Sequence, residues 1–483
     1  MTREQESMAR RRSGVLLHPT SLPGGPACGD LGPDAYRFVD FLAESGCTIW
    51  QTLPLGPTHE DGSPYQCLSA HAGNPLLVAL GPMAEAGWLE TEPSSGRGTA
   101  AHRWEALRQA HAGFRKRAGE SERQAFDAFC REKAHWLEDF ALFMALRGEE
   151  EGPWWEWPAA VRDRKGGAVE EAGERLGEEV SLHRFVQWRF FAQWTDLKRY
   201  ANDRGILLFG DLPIFVAHDS AEVWAHREYF DLDGWGRART VAGVPPDYFS
   251  ETGQYWGNPH YRWDRIAGEG YGWWIERMRT QLELFDWVRI DHFRGFAAFW
   301  EIPEGRPATE GDWVPGPGDA LFEALEGALG DLPLVAEDLG VITPEVTELR
   351  RRFGLPGMKI LQFAFGGGAE NPYLPHHHER GFVVYTGTHD NNTTLGWWRE
   401  EAPEEVHEQV RDYLGYPGED QPWPLIRAAL ASVAQTAVVP LQDLLELDGR
   451  HRMNQPATTE GNWGWRFRWE WLPEGLAARL HHL

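Results

Sequence analysis

Short, unbroken apolar runs recur along the whole chain, and their number limits the possible folds more than any other feature. A strand buried on both faces, as in a parallel sheet, reads as continuous Val, Ile, Leu and Phe instead of an alternating pattern. Eight such runs stand out, at 14–21 (GVLLHPTS), 47–53 (CTIWQTL), 206–216 (ILLFGDLPIFV), 287–293 (WVRIDHF), 332–338 (LPLVAED), 357–365 (GMKILQFAF), 382–390 (FVVYTGTHD) and 436–444 (TAVVPLQDL). Helical patterns lie between them at 33–45, 182–203, 272–285 and 343–353, the last opening with Thr343-Pro344, a helix start signal. Strand followed by helix, repeated, predicts an α/β fold, and eight strands suit a TIM barrel.

The runs are unevenly spaced. Long stretches after the second and third runs predict a mainly helical insertion at about 80–180 and a long ordered loop at about 230–262. In the first insertion Phe126, Phe129, Leu137, Phe140 and Met144 fall near helical spacing with charges between them. The Glu- and Gly-rich segment 169–180 reads as a solvated helix or loop. Residues 1–12 read as a flexible extension and 13–483 as one barrel unit, with 53 glycines and 32 prolines scattered among tight loops.

Composition narrows the function. Asp and Glu number 73 against 47 Lys and Arg, a net charge of −26 that disfavours nucleic acid and anionic membrane as partners. Cys28, Cys47, Cys67 and Cys130 form no CxxC pair, so neither a zinc ribbon nor a dense disulfide framework is expected. The N-terminal MTREQESMARRR precedes only a brief apolar run, and no stretch is long enough to span a bilayer. A cytoplasmic location is therefore expected. The run Gly366-Gly367-Gly368 lacks the spacing and the Lys of a phosphate-binding loop, and no GxGxxG follows the first strand.

In a TIM barrel the chemistry sits at the C-terminal ends of the strands. Four of the runs turn polar there: Gly210-Asp211, Arg289-Ile290-Asp291-His292, Glu337-Asp338, and Thr388-His389-Asp390-Asn391-Asn392. Converging carboxylates with an Arg and His residues suit glycosidic-bond chemistry, in which one acid protonates the leaving oxygen and another carboxylate attacks or shields the sugar cation. The 25 tryptophans fit as well, because sugar rings stack on aromatic faces. Taken singly, each polar end has a plainer reading: Arg289 and Asp291 as a buried ion pair, Glu337 and Asp338 as helix caps, His389 and Asp390 as a structural pair. Four structural explanations at once are improbable.

Other motifs weigh less. His376-His377-His378 sits in a surface loop without further ligands at metal spacing, and no metal or cofactor is expected. Trp154, Trp155 and Trp157 read as a sugar platform or, more simply, as packing for the helical insertion, and Trp273-Trp274 and Trp397-Trp398 as core or contacts between helices and barrel.

At these motifs the sequence resembles the amylomaltase family, the 4-α-glucanotransferases or disproportionating enzymes allied to the α-amylase clan. The resemblance runs from residue 14 to about 470 through GVLLHPTSLPG at Gly14, SPYQCLSAHAGNPLL at Ser63, GDLPIFVAHDSAEVW at Gly210, VAGVPPDYFSETGQYWGNP at Val241, RIDHFRGF at Arg289, AEDLG at Ala336, TGTHDNNTT at Thr386 and RMNQPATTEGNWGWR at Arg452. It implies a (β/α)8 barrel without a C-terminal β-sandwich. It also implies Asp291 as nucleophile, Glu337 as acid/base and Asp390 as the third carboxylate that binds sugar hydroxyls. Tyr65, Asp211, Arg289, His292 and His389 would surround the cleaved sugar, and Tyr248, Phe249, Gln254 and Trp256 would reach the glucan from a loop arching over the cleft. Two departures stand out: His59-Glu60 where many relatives carry Gly-Tyr, and Asn392 where THDND is commoner.

The expectation is therefore a cofactor-free, monomeric or weakly oligomeric enzyme. It would move α-1,4-glucan segments between donor and acceptor sugars by a retaining double displacement, which implies carboxyls of Asp291 and Glu337 about 5 to 5.5 Å apart. A hydrolase of the same clan and a non-catalytic glucan-binding protein remain as alternatives at this point, and the second need not keep all three carboxylates.

Overall fold

The computed structural model describes residues 10–25, 27–90, 98–246, 251–416 and 420–483. The strands are β1 (Arg12–Leu16), β2 (Ile49–Gln51), β3 (Leu207–Pro213), β4 (Thr240–Val244), β5 (Gln254–Pro259), β6 (Trp287–Asp291), β7 (Ala298–Pro303), β8 (Asp312–Pro315), β9 (Leu334–Ala336), β10 (Gly357–Ile360), β11 (Phe382–Tyr385) and β12 (Thr436–Pro440). Each apolar run overlaps one member of an eight-stranded sheet ordered β10-β11-β12-β1-β2-β3-β6-β9, and every pair in it is parallel. That order is the chain order read around a ring. The ring closes where Ala336 N–H donates to Pro356 O at 2.8 Å, giving the α/β TIM barrel. The four expected helices are present at Pro33–Glu44, Gly177–Asp203, Gly272–Leu284 and Pro344–Arg352.

Strand periodicity sorts the side chains into an inner and an outer set. Val15, Trp50, Leu208, Val288, Ile290 and Ala336 face outward into the core shared with the helices. Leu16, Ile49, Phe209, Trp287, Val335, Met358, Val383 and Val438 fill the inside. Along β3 and β6 the inward row then changes character. Phe209 and Trp287 pack edge to face with centroids 5.9 Å apart, and two residues further on come Asp211 and Arg289, which are register partners. Asp291 ends β6 another two residues up, at the mouth. Gly210 sits between because the ring of Phe285 occupies the space a Cβ would take, 2.2 Å away.

The β9–β10 seam carries a second fastening. Asp338 accepts the Met358 N–H at 2.7 Å and pairs with Arg350 Nε at 3.1 Å, both side chains being nearly buried. Asp338 thus does not cap the following helix. It supplies the acceptor that a longer β9 would have provided.

The stretch between β2 and β3 is mainly helical. Its amphipathic stretch is two helices, Glu120–Glu132 and Ala134–Arg147, divided at Lys133, and a third helix spans Ala168–Arg175. Trp154 and Trp157 are buried, Trp157 stacking near Phe143 and Trp224. The second insertion differs from expectation. The segment read as a loop contains β4 and β5, which pair antiparallel with each other and, through β4 on β7, join β7 and β8 in a separate sheet ordered β5-β4-β7-β8. The β4–β5 pairing is local, whereas β4 finds its second partner, β7, in the stretch after β6, which the local sequence does not reveal. The chain is also ordered from further back than residue 13: Arg12 opens β1, and the Arg11 guanidinium donates to the carbonyls of Leu430, Ser432 and Ala434. Residues 1–9 lie outside the described residues.

The seam generates a prediction. Asp338→Ala leaves Arg350 and the Met358 N–H without their acceptor, and removing one partner of a buried pair costs about 3–5 kcal/mol. Urea unfolding should show that loss in the full chain, whereas a change within about 0.5 kcal/mol would be the behaviour of an ordinary surface position.

Candidate active site

The mouth of the barrel is organised around one cation. Arg289 Nη1 donates to both oxygens of Asp211, at 2.9 and 2.7 Å, and Nη2 meets Asp291 Oδ1 at 2.8 Å. The side chains of Arg289 and Asp211 are 5% and 1% exposed. Such burial is tolerable for a charge only with paired, hydrogen-bonded partners, and here two anions and the Met358 sulfur, 3.4 Å from Nε, surround the guanidinium. Tyr65 O–H completes the group by donating to Asp211 Oδ2 at 2.7 Å. Burial pushes Asp211 up to about 6 against the pull of Arg289, so near neutral pH it is mostly an anion. Asp291, fixed by Nη2, keeps its side chain 29% exposed.

Glu337 follows β9 directly. Its backbone is tied to the β6 side, with its N–H donating to Ile290 O at 3.0 Å and its carbonyl accepting from Phe293 N at 3.2 Å. Its carboxyl accepts from Leu339 N at 2.9 Å and from His292 N at 2.8 Å. The second bond requires His292 at φ +55°, a left-handed conformation uncommon for a non-glycine residue, so local strain is spent on aiming this carboxyl. Burial raises its pKa, the neighbouring Asp291 charge adds to the rise and Arg289 opposes it, leaving it at about 7.

Asp390 behaves oppositely. Desolvation in the cleft pushes it up, but His389, Asn454 and Arg289 outweigh that and hold it well below the usual carboxylate range. His389 Nε2 stands 3.2 Å from Oδ2, Asn454 Nδ2 donates to Oδ1 at 2.7 Å, and Arg452 holds the Asp390 carbonyl at 3.0 Å. The His389 ring lies flat against Tyr65, centroids 5.1 Å apart, with Trp463 against both. Groups from β3, the loop after β2, the end of β11 and the C-terminal segment thus meet at one point.

Among the expected site residues, Tyr65, Asp211, Arg289, Asp291, His292, Glu337, His389 and Asp390 are brought together. Trp256 joins them, its ring edge-on to His292 at 4.8 Å. Gln254 accepts from the Trp256 indole at 3.1 Å, which orients that ring. Tyr248 and Phe249 lie outside the described residues. Sequence reasoning missed Arg452, Asn454 and Trp463 as site residues: RMNQPATTEGNWGWR was noted as a motif, but nothing in its spacing says that it folds back on Asp390. His18, whose ring burial and the nearby His389 push down to about 3, was missed in the same way within GVLLHPTS. Asn392, one of the two departures, donates to Glu401 at 2.8 Å, a bond an ionised Asp would be unable to make. The His tract is structural: His376 and His377 point Nε2 at Ala369 O, and His378 is held between Tyr373 O and Ser432 Oγ.

A cleft with Glu337 near pH 7, Asp390 held well below it and Asp291 fixed by a guanidinium can donate and recover a proton while a second carboxylate attacks at carbon, the requirement of retaining glycosyl transfer. Comparison with known proteins agrees. A family model described as 4-alpha-glucanotransferase matches residues 17–472. The chain is 54% identical to a 4-alpha-glucanotransferase of Thermus thermophilus over 97% of each chain. It is 49% identical to one from Synechocystis, covering 98% of this chain and 96% of the other. The amylomaltase from Streptococcus agalactiae, solved in complex with acarbose, superposes with a TM-score of 0.94 at 38% identity over 98% of both chains.

The environment of Glu337 predicts its titration. Carbon-13 NMR of carboxyl-labelled protein should show one glutamate titrating near 7, absent from Glu337→Gln; a Glu337 signal near the ordinary value of about 4.3 would contradict the burial argument.

Proposed function

The chain belongs to the 4-alpha-glucanotransferase family, and on that premise we propose how its own residues carry the family's activity, the transfer of α-1,4-glucan segments between sugar chains. Asp291 attacks the anomeric carbon of the donor sugar. The bond from that carbon to the glycosidic oxygen breaks, Glu337 gives its proton to that oxygen, and the shortened glucan departs with a free 4-hydroxyl. The ionised Glu337 then takes the proton from the 4-hydroxyl of an acceptor, whose oxygen attacks the same carbon and releases Asp291. Two inversions give net retention.

Arg289 keeps Asp291 aimed, its Nη2 holding Oδ1 at 2.8 Å. Asp390, with His389 and Tyr65, binds the hydroxyls of the donor sugar and places negative charge near the developing cation. Trp256, with Gln254 orienting it and with Tyr248 and Phe249 in the same stretch, meets the glucan and favours a sugar over water as the second nucleophile. The observation that carries this reading is the division of labour among the carboxyls, Glu337 at about 7 and Asp390 far below it.

Residues 13–483 act in this reading as one catalytic unit without cofactor or metal, monomeric or weakly self-associating, in the cytoplasm. Among the described residues no helix is long and apolar enough to cross a membrane.

Maltotriose alone should yield glucose together with a ladder of longer maltooligosaccharides; glucose and maltose without longer products would identify a hydrolase. Asp291→Asn should lower turnover by about four orders of magnitude or more while oligosaccharide binding stays measurable, and full activity in that variant would end the proposed role. The first half-reaction needs protonated Glu337, so kcat/KM should fall as pH rises through about 7, and Glu337→Gln should lose that limb along with activity.

A further inference from the structure

Tyr65, His389 and Asp390, which hold the donor sugar in the proposed reading, contact one another and Asp211. Two further segments lead away from the Glu337 carboxyl itself. One runs from Glu337 to Val341, and the other from His292, whose N–H bonds Glu337, to Arg294. Arg294 links the two: its guanidinium donates to Val341 O and lies over the Trp313 ring, 3.8 Å from the centroid. Its Nε is buried with no hydrogen-bond partner.

Trp313 belongs to β8, where its register partner is Trp300 on β7. The two rings meet edge to face at 5.1 Å, and Trp300 is itself anchored by its indole N–H on Ala308 O at 2.8 Å. Single exposed apolar side chains are ordinary on a protein surface. Trp313 is different because a cation backs one face and a second anchored Trp holds its edge, so the ring is immobilised, yet 40% of the residue is exposed. Val341 beside it is 66% exposed. A ring fixed before binding loses little freedom when a sugar stacks on it, which makes such a surface an efficient platform for the apolar face of glucose.

We infer that Trp313, with Val341 beside it, is a sugar platform on the acceptor side of Glu337, engaging the α-1,4-glucan that leaves in the first step and the acceptor that enters in the second. The inference rests on Glu337 being the acid/base, because the leaving oxygen and the acceptor hydroxyl both lie on the proton donor's side. The sheet β5-β4-β7-β8 then serves both parts of the cleft, β5 presenting Trp256 near His292 and β8 presenting Trp313 beyond Arg294.

The test uses the full-length enzyme with α-maltosyl fluoride as donor, whose small leaving group leaves the acceptor side empty, and maltose as acceptor. Trp313→Leu should raise the acceptor KM roughly tenfold, and Trp313→Phe, which keeps a ring, should recover most of that loss. Val341→Asp, at an exposed position where folding is not at stake, should raise the acceptor KM in the same direction. An acceptor KM unchanged in Trp313→Leu and Val341→Asp, or Phe no better than Leu, overturns the platform. Failure of the wild-type enzyme to transfer from the fluoride to maltose would instead overturn the proposed function itself.

Discussion

The Arg289 guanidinium, buried at the end of β6, is the contact on which the rest of the site depends. It grips Asp211 with both oxygens and Asp291 with one, joining β3 to β6 where the interior of the barrel changes from apolar to charged. Without it, two carboxylates would share a nearly dry space and one would take up a proton. With it, Asp291 is held in a fixed orientation, and Tyr65 can lean on Asp211 while stacking on His389. A single cation thus links Asp291 to Asp211 and, through it, to Tyr65 and His389.

The same physical terms, differently weighted, separate the other two carboxyls. Glu337 receives two backbone N–H groups, but burial and the neighbouring Asp291 charge prevail and keep its proton near neutral pH. Asp390 has His389, Asn454 and Arg289 within reach, and they prevail over desolvation. Acid/base and anion are thereby assigned by environment, not by residue type. The strained His292 and the seam at Asp338 belong to this design, since one aims Glu337 and the other holds the strand end from which it projects.

The barrel was legible because parallel strands buried on both faces leave continuous apolar runs; each of the eight overlaps a strand of the ring. The site was legible in part for a related reason: where inward positions of β3 and β6 turn from Phe209 and Trp287 to Asp211 and Arg289, the change is written in a few consecutive letters. The antiparallel sheet was not. Gly243 and the Pro-rich turns of the 230–262 stretch obscure any alternation, and β4 finds its partner β7 only through the fold. Asn454, Arg452 and Trp463 escaped notice for the same reason, being brought to Asp390 from a distant part of the chain by loop geometry. The role of Asp338 was not legible either, because its acceptor bond to Met358 depends on a strand, β10, that only the closed ring places beside it.

The central claim is that Asp291 becomes covalently bonded to the donor sugar while Glu337 manages the proton. The most direct measurement is mass spectrometry of peptides from Glu337→Gln enzyme incubated with α-maltosyl fluoride, a donor that needs no acid to depart, so that the intermediate forms and its breakdown is slowed. The account predicts a maltosyl adduct on the peptide containing Asp291, and none on those containing Asp211 or Asp390. An adduct on either of those carboxylates, or rapid release of inverted sugar with no adduct, would contradict it.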